Sequence, residues 1–182
     1  MQPAKYLNHW LQENTSDKHY LFTPKDLRAL FPDLTNGAFK VLLNRALSSG
    51  LLNHLCRGLY IYPQKQPQDG LILYHAAAML RANSFNYLSL ETVLSDAGVI
   101  SQIPLNWISL MSSGRSYEVD CGKYGTIEFI HTKQKPENLS DLLIYDSRYG
   151  LWKANIKLAI RDMKRAHRNC DLIDWEVVDE LI

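Results

Sequence analysis

Acidic residues are missing from one long stretch of this chain. None occurs from Leu34 to Gln68, although the whole sequence has 19 Asp and Glu against 20 Lys and Arg. The net charge of +1 excludes a uniformly basic, histone-like nucleic-acid binder. Any affinity for a polyanion must therefore come from a local patch. The acid-free stretch supplies such a patch with four basic residues, namely Lys40, Arg45, Arg57 and Lys65.

Cysteines are few, and long apolar runs are absent. Cys56, Cys121 and Cys170 lie far apart and form no Cys-x-x-Cys or Cys/His zinc spacing, which favours thiols in a reducing compartment. The first ten residues lack a basic region followed by an apolar run, so they do not read as a signal peptide. No apolar run approaches the length of a membrane span. These absences predict a soluble, cytoplasmic protein.

Motifs that mark common enzymes are also missing. The chain has no phosphate-binding Gly-x-x-x-x-Gly-Lys-Ser/Thr loop, no Gly-x-Gly-x-x-Gly after a strand and no His-Glu-x-x-His. The best enzymatic candidate is Asp120 with Glu128 on neighbouring predicted strands, as in a metal-dependent nuclease. Such a site would want a lysine at position 130, which is Ile. The sequence therefore predicts no enzyme, no catalytic residue, no metal site and no cofactor.

What the first third does contain is the order helix, helix, helix, hairpin. A first helix is expected over residues 4–13. A short helix from Pro24 has Thr23 as its N-cap, and a longer amphipathic helix begins after Thr35 and ends at Gly50. Two strand-like runs follow, 51–55 and 59–63, with a turn near Arg57-Gly58. This order is typical of a winged helix-turn-helix, which lays its last helix in the DNA major groove.

The candidate DNA-contacting residues lie on the face of that helix opposite its apolar residues, and on the hairpin. Asn can pair with an adenine edge, and Lys can reach a guanine acceptor or a phosphate. Glycine near the helix N-terminus allows close approach of an anion. Tyr62, at the end of the hairpin, is equally compatible with the core. The predicted DNA-binding residues are Thr35, Asn36, Gly37, Lys40, Asn44, Arg45, Arg57 and Tyr60.

The second half predicts an α+β domain of helices around a small antiparallel sheet. Polar, turn-rich residues 64–70 favour a boundary near residue 66, giving domains 1–66 and 67–182. Helices are expected over 71–82 and 90–97, and strands over 107–111, 116–121 and 126–132, with Gly114, Gly122 and Gly125 at the turns.

A basic helix is expected from residue 151 to residue 168. Its charges are either balanced by the acidic closing segment 174–182, or they form a second surface for DNA or for an acidic partner. Trp152, Ile156, Ala159, Ile160 and Met163 are expected to keep its other face buried. The candidate second basic surface consists of Lys153, Lys157, Arg161, Lys164, Arg165 and Arg168.

Two segments of the second half resemble motifs of AbiEi antitoxins. YLSLETVLSDAG (87–98) resembles Tyr-x-Ser-x-x-x-Ala-Leu-x-x-x-Gly, and ANIKLAIRD (154–162) is similar to Ala-x-Pro-Glu-x-Ala-Leu-x-Asp. Ile156-Lys157 replaces the Pro-Glu pair, which makes this helix more basic. Ile103-Pro104, the strand 107–111 and Ile127-Glu128-Phe129 look like the sheet of the same family. The order of these motifs behind the helix-turn-helix covers nearly the whole chain.

The resemblance implies an antitoxin of a type IV toxin–antitoxin system. Such a protein represses its own promoter through the winged helix, typically at inverted repeats in double-stranded DNA. Its second domain opposes a nucleotidyltransferase-type toxin without forming a stable complex with it.

We therefore predict a DNA-binding, autorepressing antitoxin. Two other functions are compatible with the sequence: a winged-helix regulator whose second domain senses a ligand, and a protein–protein adaptor that does not bind DNA. The steep salt dependence of phosphate contacts would separate the adaptor from the DNA-binding proteins.

Overall fold

The computed structural model describes residues 2–101 and 105–182. Ile103 and Pro104, part of the resemblance above, lie outside the described residues. The chain divides into two compact units, Met1–Ile72 and Leu73–Ile182, somewhat later along the chain than the predicted boundary at residue 66. Both units contain helices and strands, so the α+β class is confirmed. No helix among the described residues is both long and apolar enough to cross a membrane.

The described residues of unit 1 form three α-helices and a small sheet, and local sequence signals set the helix ends. Thr23 accepts a hydrogen bond from the Asp26 backbone N–H (3.2 Å), and Asp26 accepts one from the Thr23 backbone N–H (2.8 Å), so the predicted cap is a complete capping box. Thr35 caps the next helix by accepting from the Ala38 N–H (3.2 Å). Gly50, with φ +72°, follows that helix in the left-handed conformation. The elements are α1 Pro3–Asn14, β1 Leu21–Phe22, α2 Pro24–Ala29, α3 Asn36–Ser48, β2 Asn53–Cys56 and β3 Leu59–Ile61.

The strands of unit 1 form an antiparallel sheet in the order β1-β3-β2. β2 and β3 are the predicted hairpin, and Gly58 at its turn has φ +85°, a conformation that glycine adopts without strain. β1 was not predicted from the sequence, because two residues are too short to show an alternating pattern. All three helices and the sheet contribute to one core, with Leu7, Leu11, Phe22, Leu27, Phe39, Leu42, Leu43, Leu52 and Tyr62 buried in it.

Unit 2 has four helices and six strands in the described residues. α5 packs against both α6 and the strand β5. Several single 3₁₀ turns connect the strands. The elements are α4 Ile72–Leu80, β4 Asn86–Leu88, α5 Leu90–Asp96, β5 Trp107–Ser112, β6 Tyr117–Asp120, β7 Thr126–His131, β8 Leu143–Asp146, β9 Leu151–Ala154, α6 Ile156–Arg165 and α7 Trp175–Leu181.

The sheet of unit 2 is larger than predicted and is mixed rather than antiparallel. Its strand order is β6-β7-β5-β4-β9-β8. The pairs β5–β7 and β4–β9 are parallel, whereas the other three pairs are antiparallel. The prediction of a small antiparallel sheet was wrong because parallel pairs join segments that are distant in sequence, and no local pattern reports them.

The predicted start of the basic helix at residue 151 is wrong. Residues 151–154 form β9, which pairs with β8 on one side and β4 on the other, so their backbone groups are satisfied in the sheet. The helix begins only after Asn155, whose side chain accepts from the Leu158 N–H (2.9 Å). Trp152, expected on the buried face of a helix, lies on β9 and is 44% exposed.

Candidate nucleic-acid interface

The outer face of α3 carries the predicted contacts. Phe39, Leu42, Leu43 and Ala46 are buried, and this fixes the helix rotation. No hydrogen bond or ion pair ties the side chains of the predicted contacts on this helix to other residues that the structure describes. These side chains are therefore accessible to a ligand. The exposed predicted residues are Asn36, Gly37, Lys40, Asn44 and Arg45.

The N-terminal turn of α3 is open. Thr35 is exposed, and its hydroxyl is used as the cap of the helix. A Cβ built at Gly37 would meet no atom within 4 Å, so the packing of unit 1 does not require glycine at this position. The opening leaves room for an anion near backbone N–H groups, at the end of the helix where the dipole favours negative charge.

Sequence reasoning missed Val41 on this face. Its side chain is 48% exposed and follows Lys40, one turn from both Gly37 and Arg45. An exposed valine amid polar side chains can contact the methyl group of a thymine. The signal was available in the sequence, because Val41 falls outside the helical spacing of the buried residues.

The hairpin presents a different set of side chains. Arg57 is exposed at the turn beside Gly58. Tyr60 is only half-buried and packs on the core from the central strand β3, with its ring 5.4 Å from that of His54 and perpendicular to it. His54 itself is exposed, and the sequence analysis did not select it. Tyr62 is fully buried and donates to Gln64 Oε1 (2.8 Å), so it belongs to the core.

Arg28 stabilises the turn between α2 and α3. Its guanidinium donates to the carbonyl oxygen of Phe31 and to that of Leu34 (2.6 Å), and it lies 5.4 Å from the centre of the Phe39 ring. These contacts set the position of α3 relative to α2. This role of Arg28 was not predicted from the sequence, because carbonyl acceptors in a turn have no sequence pattern.

The six residues of the predicted second basic surface do not form one free face. Lys153 lies on β9 and pairs with Asp96 (3.0 Å). Arg168 lies beyond α6, where it binds Glu128 and approaches Glu91 (3.7 Å). Lys164 stands 5.6 Å from the centre of the Trp175 ring. Of the six, Lys157 and Arg165 are exposed without such a contact among the described residues, and Arg161 is half-buried.

The inner side of α6 contributes to a buried polar cluster. Asp162, which is fully buried, accepts hydrogen bonds from the hydroxyls of Tyr87 (3.0 Å) and Ser89 (2.8 Å) and from the Gln134 amide (3.1 Å). Gln134 in turn accepts from Arg161 Nη2 (2.8 Å). Tyr87, Ser89 and Asp162 are all residues of the two motifs that resemble the antitoxin family. The two motif segments therefore meet at one carboxylate.

The environment of Asp162 changes the acidity of both partners. Burial raises the pKa of Asp162, although its hydrogen bonds from Ser89 and Tyr87 and the charges of Arg161 and Arg165 act in the opposite direction. Burial, together with the Asp162 carboxylate, raises the pKa of Tyr87 as well, so this tyrosine stays a hydrogen-bond donor.

We expect a pH-dependent contribution of Asp162 to stability. Its raised pKa means that the folded state holds the proton more tightly than the unfolded chain does, so this contribution is full below the ordinary value of 3.8 and is lost as the pH rises through the folded value. Asp162→Asn cannot ionise and loses nothing. The free energy of unfolding of the wild type and of Asp162→Asn can be measured with urea from below pH 3.8 upward. As the pH rises, the wild type should lose stability relative to Asp162→Asn. A difference independent of pH would contradict the direction of the shift.

The nuclease candidates Asp120 and Glu128 do not lie directly opposite each other in the β6–β7 pair. Asp120 lies opposite Thr126, whereas Glu128 lies opposite Glu118. Asp120 accepts from the Gly122 backbone N–H (2.7 Å). Glu128 accepts from Ser109 Oγ (2.8 Å) and from the Trp107 indole (3.3 Å), in addition to Arg168. In the described part of the chain, no group of three His, Cys, Asp or Glu residues is arranged to hold a metal ion.

The three cysteines form no disulfide with one another; Cys56 and Cys121 are buried, and Cys170 is half-buried.

Comparison of the whole chain with models of protein families and with curated proteins finds no match.

Proposed function

We propose that unit 1 is a winged helix-turn-helix that binds double-stranded DNA, with α3 as the recognition helix and the β2–β3 hairpin as the wing. The observation that carries the proposal is the outer face of α3, where Asn36, Lys40 and Asn44 are exposed on a helix otherwise anchored in a core. The element order and the β1-β3-β2 sheet are those that this module requires. The absence of any acidic residue from Leu34 to Gln68 removes repulsion of phosphates.

Each part of the surface has its own task in this proposal. Lys40, Asn44 and Val41 read base edges in the major groove, whereas Arg45 on the flank contacts the backbone. The N-terminus of α3 binds a phosphate at the open turn around Gly37. Arg57 reaches a phosphate or the minor groove from the wing. Tyr60 supports the wing through its contact with His54 rather than reaching far into solvent.

We further propose that the protein is an autorepressing antitoxin, and that unit 2 opposes a nucleotidyltransferase-type toxin without a stable complex. This part rests on the resemblance to AbiEi antitoxins. It is supported by the convergence of Tyr87, Ser89 and Asp162 from both motif segments on one buried cluster. A nucleotidyltransferase gene beside this gene, toxic when expressed alone and harmless when expressed together with this protein, would support the proposal. Unchanged toxicity during co-expression would refute it.

The wing gives a specific prediction for DNA binding. Arg57→Ala should weaken binding to operator and to unrelated DNA by a similar factor, and it should lower the slope of log affinity against log salt by about 1, because one phosphate contact is lost. Fluorescence anisotropy at several salt concentrations measures both quantities.

Lys18→Ala is the matched control for this experiment, because Lys18 is an exposed cation of unit 1 that lies outside α3 and the wing. It should leave the slope unchanged. Equal slopes for wild type and Arg57→Ala would remove Arg57 from the interface. Wild-type affinity that is flat with salt would favour the adaptor function.

A further inference from the structure

Unit 2 has an open cavity of about 770 Å³ at the end of β7 and alongside α6. Its cationic lining residues come from two different elements: Arg161 and Arg165 from α6, and Lys133 from the segment after β7. None of the described residues that line the cavity is acidic. Three cations that converge on one concave site without a lining carboxylate are suited to an anionic ligand.

The buried cluster holds one of these cations in place. Gln134 donates to Asp162 (3.1 Å) and accepts from Arg161 Nη2 (2.8 Å), so the guanidinium is anchored to a fully buried carboxylate. Arg161 Nε is buried and has no hydrogen-bond acceptor among the described residues. A buried donor without an acceptor is unfavourable, so Arg161 retains unused hydrogen-bonding capacity. Arg161 is therefore positioned in advance, which lowers the cost of binding.

The size and the remaining lining argue for a ligand larger than a simple ion. Pockets for small molecules typically enclose about 300–1,000 Å³, whereas a single phosphate needs only a small part of such a volume. Ile130 and the largely buried Met111 beside it form the apolar part of the lining, against which a planar ring can pack. The Asn138 amide can donate to and accept from the edge of such a ring.

We propose that this cavity binds a nucleoside phosphate, with its phosphates on Arg161, Arg165 and Lys133 and its base toward Met111 and Ile130. The cavity belongs to unit 2, and the proposal does not depend on DNA binding by unit 1.

Isothermal titration calorimetry of the full chain without DNA tests the proposal, with ATP, adenosine and inorganic triphosphate as separate ligands. We expect ATP to bind, and both adenosine and triphosphate to bind more weakly. Arg165→Ala should weaken ATP binding by about tenfold, the loss expected for one charge-assisted contact. Lys157→Ala is the matched control, because it removes an exposed cation of the same helix that does not line the cavity, and it should bind ATP as the wild type does.

Four outcomes would overturn the proposal. The first is no ATP binding at millimolar concentration. The second is an equal loss in both variants, which would indicate nonspecific attraction. The third is triphosphate binding as tightly as ATP, which would leave no role for the nucleoside. The fourth is that the wild type does not bind ATP while Arg165→Ala binds the operator more weakly than the wild type does. That result would assign these cations to DNA binding. A failure of ATP binding alone leaves the DNA-binding proposal for unit 1 untouched.

Discussion

Replacing Lys40 and Asn44 together with alanine should reduce the affinity for the operator by about 30-fold or more. Each base contact of this type contributes roughly 1–3 kcal/mol, so the loss of two should cost about 2 kcal/mol or more. Both side chains are exposed on α3 and make no hydrogen bond or ion pair with other described residues. Folding should therefore be retained, and the loss should appear in binding alone. Fluorescence anisotropy with operator and with unrelated DNA measures the loss and the change in specificity.

The control for the double variant is again Lys18→Ala, which should bind the operator like the wild type. Unrelated DNA adds a second comparison, because the double variant should lose more affinity for the operator than for unrelated DNA. If operator affinity were unchanged in Lys40→Ala/Asn44→Ala, α3 would not be the reading helix. A loss of equal size on both DNAs would reduce the role of this face to phosphate contact.

Asp162→Ala should lower the free energy of unfolding of unit 2 by about 3 kcal/mol or more. The substitution leaves the hydroxyls of Tyr87 and Ser89 and the amide of Gln134 without their shared acceptor, and the first two residues are fully buried. An orphaned buried donor costs about 1–3 kcal/mol, so the combined loss exceeds that of one ordinary hydrogen bond.

Tryptophan fluorescence can isolate this effect. Trp10 is the one tryptophan of unit 1, and Trp107, Trp152 and Trp175 belong to unit 2. In a Trp10→Phe background, urea unfolding followed by fluorescence therefore reports unit 2. Ser89→Ala should cost about 1 kcal/mol, because Asp162 keeps its other donors. Asp141→Ala, which removes an exposed carboxylate, should change little. A loss for Asp162→Ala no larger than that for Asp141→Ala would contradict the cluster.

The sequence predicted much of unit 1 because its signals are local. Thr23 and Thr35 cap helices within three residues of themselves, and Gly50 and Gly58 occupy left-handed positions that their turns require. The two-residue Arg57-Gly58 turn made the hairpin recognisable. The selection of exposed residues on α3 followed from the same short-range periodicity. Val41 lies on the same face, but the expected base contacts were polar side chains.

Unit 2 was harder to predict because its organisation depends on long-range pairs. β4 pairs with β9 across more than sixty residues of sequence, and Tyr87 and Ser89 reach Asp162 over a separation of more than seventy. No local pattern indicates that Asp162 is buried, since an aspartate on a basic helix looks like a surface counter-charge. The cation-lined cavity could not be predicted for the same reason, because Lys133 and Arg161 line one cavity only after unit 2 has folded.

Two segments of unit 2 resemble motifs of AbiEi antitoxins. Tyr87, Ser89 and Asp162 belong to these segments, and they share a hydrogen-bonded cluster. The Ile156-Lys157 departure falls at the first turn of α6, away from this cluster. The altered pair therefore leaves the contacts of Asp162 intact.

A gel-shift titration tests the central claim most directly. The protein would be titrated against the DNA upstream of its own reading frame, with an excess of unrelated competitor DNA, at two salt concentrations. We predict retardation that survives the competitor and weakens steeply at the higher salt, because phosphate contacts release counterions. Retardation abolished equally by any competitor, or no retardation at either salt concentration, would contradict the assignment of unit 1 as a sequence-specific DNA-binding domain.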